Sequence, residues 1–284
     1  DYSVILNSIP AGANLDNLVI TEDFFAYVHE SPATAVMNYL FNEKVFKVLF
    51  EIASIGVDKL STELENDVQE LSLVQSAVKI INQLLTYQET YVEELCPIIK
   101  RHQKHGYFIP TSFGLHGLRS FYDAILFNLP IIAHFGLYVG LENYELASQS
   151  LEILKKLSLK FSNDDIQSIN KNKLLTVFDS VDESARIKQA FINQLETPVT
   201  GERSLSLKLE MLDFVSSNLS LTDKTPTVSH FFLGFQVTNI LSLGPKLSTF
   251  ICSEVSLLKS LSYLITSSLS VVNHQNVDYA PMRL

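Results

Sequence analysis

At 284 residues the chain is long enough for one large domain or two ordinary ones, well above the size at which a core becomes hard to build. Its 46% hydrophobic and 18% charged residues exclude a disordered tail, and a formal charge of −10 argues against nucleic-acid binding, which needs a basic stripe to neutralise phosphate. Only 10 Gly and 9 Pro are spread along it, too few for an all-β fold with its many tight turns.

Helical punctuation recurs from near one end to the other. Ser31-Pro32 puts a capping residue before a proline at the first helical position, where no N–H is needed. Behind it Val36, Tyr39, Leu40, Val45, Phe46, Leu49 and Phe50 fall at helical spacing. A second helix is predicted around Ser72, with Val74, Ala77, Ile80, Ile81, Leu84 and Leu85 on one side. Tyr91, Leu95, Ile98 and Ile99 continue the pattern, and Pro97 kinks or breaks it. The cluster Lys100-Arg101-His102-Gln103-Lys104-His105 ends at Gly106 and reads as a positive helix C-terminus, favourable against the helix dipole. A phosphate or acidic-peptide site is the alternative there. Ser112 caps a helix that turns Leu115, Leu118, Phe121, Tyr122, Ile125 and Leu126 inwards.

From Ala124 to Leu141 the chain is apolar over about the length of a bilayer span. It also contains Asn128, Pro130, His134 and Gly136, which are costly in lipid, and Pro130 would break a span near its middle. Two short buried helices meeting near Asn128-Leu129-Pro130 account for it better than a transmembrane helix.

Asn143 then caps a helix carrying Leu146, Leu151, Ile153, Leu154 and Leu157. Asn163-Asp164-Asp165 sets acids at the positive end of a helix with Ile166, Ile169, Leu174 and Phe178. Ser180-Val181-Asp182-Glu183 is a capping-box pattern, followed on one face by Ala190, Phe191 and Leu195. After a break at Thr197-Pro198-Val199-Thr200-Gly201, the residues Leu205, Leu209, Leu212 and Val215 mark another helix. Thr222–Thr227 is a polar loop before Phe231–Leu243, and Gly244-Pro245 is a stop. A long last helix carries Leu247, Ile251, Val255, Leu258, Leu261 and Ile265; the segment 271–284 reads as an irregular, Pro-containing tail.

Catalytic and metal chemistry find no foothold. Seven histidines are present, and none has a second histidine four residues on with a glutamate between, so a zinc-protease site is absent. Gly residues form no phosphate loop, and no G-x-S-x-G elbow occurs. His116, Ser120 and Asp123 share one side of a helix, but a regular helix interior offers no free N–H groups for an oxyanion hole. Glu93-Glu94 is a solvated helix face and Asp182-Glu183 a cap. Cys96 and Cys252 lie in apolar helical patterns and read as buried small hydrophobes of a reducing compartment. Asn218-Leu219-Ser220 matches a glycosylation sequon that arises often by chance. Phe113-Gly114 and Phe135-Gly136 sit in apolar periodic segments and are packing and turn residues, not members of a disordered Phe-Gly array. No catalytic, cofactor-binding or metal residue is predicted, and no cofactor or small-molecule substrate. Position 1 is Asp with no leader pattern after it, which reads as an internal piece of a longer protein.

Four helices pair small residues with a Leu/Ile stripe, starting at Ser72, Ser148, Ser204 and Ser253, separated by 76 (72 to 148), 56 (148 to 204) and 49 (204 to 253) residues. One fixed period does not hold. The expectation is an all-α, superhelical α-solenoid of degenerate HEAT- or armadillo-like repeats with inserted helices, continuous over 1–284. A single globular helical domain whose helices merely look alike is the alternative.

Three stretches carry a family resemblance: Tyr27-Val-His-Glu-Ser-Pro-Ala-Thr-Ala-Val-Met-Asn-Tyr-Leu, Gly117-Leu-Arg-Ser-Phe-Tyr-Asp-Ala-Ile-Leu-Phe-Asn-Leu-Pro, and Leu141-Glu-Asn-Tyr-Glu-Leu-Ala-Ser-Gln-Ser-Leu-Glu-Ile-Leu-Lys-Lys-Leu-Ser. The text resembles the giant scaffold nucleoporins of the nuclear pore inner ring, the yeast-type member above all. That resemblance implies a slice of a much larger α-solenoid at the nuclear envelope. Its role would be architectural support for nucleocytoplasmic transport, and its partners other nucleoporins whose short helical motifs dock in its grooves. It implies no partner-binding residue. A karyopherin-like transport receptor or a helical trafficking adaptor is the second reading.

Overall fold

The computed structural model describes residues 36, 39–40, 42–62, 68–89, 121–163, 173–219, 226–235 and 255–275. Every secondary-structure element among them is an α-helix, so the fold is all-α, as the periodicity predicts. The chain divides into two compact units, Asp1–Asn128 and Leu129–Leu284. The predicted features at Ser31-Pro32, Tyr91–Ile99, the basic cluster at 100–105, Ser112, Ile166 and Ile169, and Gly244-Pro245 lie outside the described residues.

In the first unit α1 (Glu43–Ala53) and α2 (Val57–Thr62) precede α3 (Val68–Glu89) and α4 (Phe121–Leu126). The apolar run from Val36 to Phe50 is interrupted, because Asn42 leaves helical geometry and its Oδ1 accepts the Lys44 N–H at 3.0 Å as an N-cap. Val36 and Tyr39 are consequently exposed, while Phe46, Leu49 and Phe50 are buried. α1 packs on α3, whose inner face is Val74, Ala77, Val78, Ile81, Leu84 and Leu85, with Ile80 at the margin. Phe121 of α4 closes this core, 6.1 Å from the Phe46 ring edge-on and 5.6 Å from Phe50.

A buried side chain joins α3 to α4. Gln88 is 2% exposed, and its Oε1 accepts the Phe121 N–H at 2.6 Å, satisfying a donor that the start of α4 would otherwise leave bare. Tyr122 adds its hydroxyl to the Leu85 carbonyl at 3.2 Å. Gln88→Leu keeps the volume and removes the acceptor, and is expected to cost about 1–3 kcal/mol, the penalty of a buried unsatisfied amide. Urea unfolding, with hydrogen exchange at the Phe121 amide, measures it.

The apolar stretch Ala124–Leu141 is two helices, as predicted. α4 closes with Phe127 N–H on the Asp123 carbonyl and Asn128 N–H on that of Ile125, and α5 (Leu129–Tyr138) starts anew with Pro130 in its first turn. No described helix is long and apolar enough to cross a membrane.

The second unit continues with α6 (Tyr144–Asn163), α7 (Lys173–Ser180), α8 (Ser184–Glu196), α9 (Glu202–Leu219), α10 (Val228–Phe232) and α11 (Leu257–Gln275). Among these described helices α5 packs on α6 and α8, α6 on α9, α7 on α10, and α8 on α11. Pairing with the described helix three places on therefore recurs at offsets of 55 (129 to 184), 58 (144 to 202) and 55 (173 to 228) residues, and at 73 (184 to 257) for α8 with α11. The Asn143 cap forms as predicted, its Oδ1 accepting the Leu146 N–H at 3.0 Å, and Leu146, Leu151, Ile153, Leu154 and Leu157 are all buried.

Two expectations are corrected, and α9 forms where its apolar residues mark it. Ser180 does not open a capping box: its hydroxyl donates back to the Val177 carbonyl at 2.9 Å, so it ends α7, and α8 starts at Ser184 behind Glu183 with no side-chain cap. Regular helix persists through Val271–Gln275, so the tail read as irregular from 271 begins within α11. The inner face of α9 is Leu207, Met211, Phe214, Val215 and Asn218, whereas Leu205, Leu209 and Leu212 point to solvent.

Candidate interaction surface

α9 is apolar on two sides, and packing selects one. Phe214 is fully buried, with ring centroids 6.4 Å from Phe191 of α8 and 6.0 Å from Phe232 of α10. The opposite side, Leu205, Leu209, Leu212 and Leu219, is 36–56% exposed on each residue. These four recur at helical spacing and form a stripe along most of the helix.

Polar contacts fix the frame of this stripe. Along the seam between α6 and α9, Glu210 accepts from Ser148 at 2.8 Å and Tyr144 at 3.5 Å, and Lys155 pairs with Asp213. The Lys155 hydrogen bond and charge hold the exposed Asp213 carboxyl below the usual carboxylate range. Deeper in the same seam, Asn218 donates to the Ser158 hydroxyl at 3.1 Å and to the Phe214 carbonyl at 2.9 Å. At 1% exposure that amide is a packing group, and the sequon built on it is inaccessible to glycosylation. On the other flank, Lys208 donates to the Leu195 carbonyl at 2.7 Å and to that of Thr197, capping the C-terminus of α8 from α9. Burial lowers the pKa of Lys208 from its ordinary value.

Few of the remaining candidates for chemistry fall among the described residues. His134 stacks on Tyr138 at 6.0 Å. Asp123 is half-buried on α4, and His274 lies on α11; His116 and Ser120 lie outside the described residues, as do His29, His102, His105, Glu93, Glu94, Cys96, Cys252, Phe113 and Gly114. Phe135 and Gly136 are buried within α5, as packing residues should be. Among the described residues no three His, Cys, Asp or Glu side chains gather as a metal site.

His230 closes α10 at its start. Its Nδ1 accepts the Thr227 N–H at 3.0 Å, the reach-back half of a capping box, and a Schellman turn through Gly234 (φ 87°) ends the helix. Burial lowers the His230 pKa from its ordinary 6.5, with a smaller opposing contribution from the Thr227 backbone. A proton on Nδ1 would also face the Thr227 N–H. Since the unfolded chain protonates first, stability is full above about 6.5 and falls as the pH drops from there toward the folded-state value. His230→Asn is expected to flatten the pH dependence of the melting temperature below pH 6.5, compared with the wild type.

The comparisons with known proteins decide the family. A family model described as nuclear pore complex scaffold, nucleoporins 186/192/205, matches residues 1–284. The chain belongs to this family. It is 27% identical over 234 residues to nucleoporin NUP192 of Chaetomium thermophilum, covering 78% of the chain and 13% of that protein. It is 25% identical over 269 residues to nucleoporin nup186 of Schizosaccharomyces pombe, covering 92% of the chain and 15% of that protein. The chain thus spans about one-seventh of the length of these large scaffold nucleoporins, both of which carry the nucleoporin name predicted from the helical phrasing.

Proposed function

We propose that this scaffold-nucleoporin chain serves as a structural stretch of the nuclear pore complex, holding short helical segments of other nucleoporins and performing no catalysis. The observation that carries the reading is the family match over the whole chain, joined to packing in which the described polar groups cap helices or bridge them. The two compact units are read as consecutive parts of one α-solenoid, and the recurrent pairing of each helix with the third one after it supports a three-helix, armadillo-like repeat in the second unit. Layered helices of this kind present long apolar grooves, which suit helix-in-groove recognition.

Tagging the full-length protein at its own locus tests the reading. A continuous nuclear rim, with other pore scaffold proteins recovered on purification, is the expected result. A diffuse soluble pool that brings down cargo and a small GTPase without pore components would replace the scaffold with a transport receptor.

A further inference from the structure

We propose that the Leu205–Leu209–Leu212 face of α9 docks an amphipathic helix of another protein whose apolar side is flanked by Lys or Arg. The inference rests on the reading of the chain as a holder of short helical segments, and adds the surface and the chemistry of its occupant. α9 is an 18-residue helix with two apolar sides separated by polar residues, and only one of those sides is covered. The inner side is filled by the Phe191, Phe214 and Phe232 rings, which leaves the Leu205 side at 47%, 56% and 36% exposure for the three leucines in order. A contiguous apolar patch of this kind marks a binding surface more often than a solvated face.

The charges around the patch choose the partner. Lys208 holds the C-terminus of α8 against one flank, its ammonium offsetting the negative pole there, and the last turn of α8 brings the exposed Glu196. The exposed Glu202 stands at the start of α9, about one turn of helix from Leu205 and about two from Leu209. Neither Glu196 nor Glu202 forms an ion pair among the described residues. Of the nearby cations, Lys155 is neutralised by Asp213, while Lys208 is buried against two carbonyl oxygens below the surface of the stripe. Arg203 leaves α9 on the side away from the leucines. With a formal charge of −10 on the whole chain, the rim and the long-range field both favour a basic-flanked helix over an acidic one.

The test uses the full chain and two synthetic 18-residue helices with the same leucine face, one with lysine flanks and one with glutamate flanks, followed by fluorescence anisotropy. The lysine peptide is expected to bind at least about tenfold more tightly than the glutamate peptide, and Leu205→Ser/Leu209→Ser to weaken it at least about tenfold. Both leucines are about half exposed, so the helical content should be retained, with only a small fall in melting temperature from the lower helix propensity of serine. Glu196→Lys/Glu202→Lys, which leaves the apolar face alone, should reverse the preference between the peptides. Equal binding of the two peptides, or wild-type affinity in the serine variant, overturns the proposal. In the full-length protein, a photo-crosslinker replacing Leu209 should capture a Lys/Arg-flanked amphipathic segment of a different polypeptide. Capture of an acidic segment, of the same chain or of a second copy overturns it. A wild-type protein absent from the nuclear rim would count against the scaffold reading instead, whatever the peptides show.

Discussion

Phe232→Ala is expected to lower the unfolding free energy of the Leu129–Leu284 unit by about 3–5 kcal/mol, the usual cost of emptying a buried aromatic site. Phe232 is 1% exposed and stands where three helices meet its own. Its ring centroid lies 4.0 Å from Phe191 of α8, 5.6 Å from Phe178 of α7 and 6.0 Å from Phe214 of α9, with Phe231 beside it at 5.1 Å. Several of these pairs are tilted or edge-on, the geometry in which aromatic quadrupoles attract, so the loss exceeds area alone. The cavity cannot collapse easily, because α10 is held at both ends by its His230 cap and Gly234 turn. Phe232→Leu keeps most of the volume and should cost under about 1.5 kcal/mol. Denaturant unfolding with hydrogen exchange in α8 and α9 separates the outcomes: equal losses for Ala and Leu would mean that ring contacts, and not the cavity, dominate.

Most helices were legible because their burial is one-sided. In α6 the cap at Asn143 and five apolar positions sit where the periodicity placed them, since a helix with one polar face has one way to pack. The 56-residue spacing between the stripes at Ser148 and Ser204 also has a physical origin, because those stripes belong to α6 and α9, which pack on each other. Where the pattern misled, two local options were close in energy. Ser180 can cap a following helix or bond back to the turn before it, and the buried Leu174, Leu175 and Phe178 extend α7 far enough to choose the second.

The interaction surface was hidden for a related reason. Leu205, Leu209 and Leu212 make as good a stripe as Leu207, Met211 and Phe214, and nothing within α9 ranks them. The choice is made by rings on other helices, Phe191 and Phe232, which no local pattern reports. One signal was present: Lys208 sits among the inner residues, and a buried lysine on an apolar face needs oxygen atoms nearby. Gln88 carries the same message on α3. Both supply hydrogen bonds to the ends of neighbouring helices, so polar residues inside apolar stripes marked helix junctions here.

Gly140→Val is expected to destabilise the same unit by about 2–3 kcal/mol, through overpacking instead of a cavity. α5 packs on α8, and the approach is close enough that an added Cβ on Gly140 would lie 2.7 Å from the Ala190 Cβ and 3.0 Å from its Cα. Backbone cannot rotate away as a side chain can, so α8 would have to move. Gly136 is one turn earlier, and the atoms nearest to a Cβ there belong to the Ile187 side chain, the first at 2.8 Å. Gly136→Ala should therefore cost less, with part of the clash offset by the better helix propensity of alanine, worth about 0.5–1 kcal/mol. Ala190→Gly removes the opposing Cβ and should restore part of the stability of Gly140→Ala in a double-mutant cycle, with a coupling of about 0.5 kcal/mol or more. Strict additivity would show that the helices already separate at this point in solution. A wedge at Gly140 also acts at a distance: α8 carries the C-terminus that Lys208 caps, so its displacement should raise hydrogen exchange at the start of α9, where the exposed leucines begin.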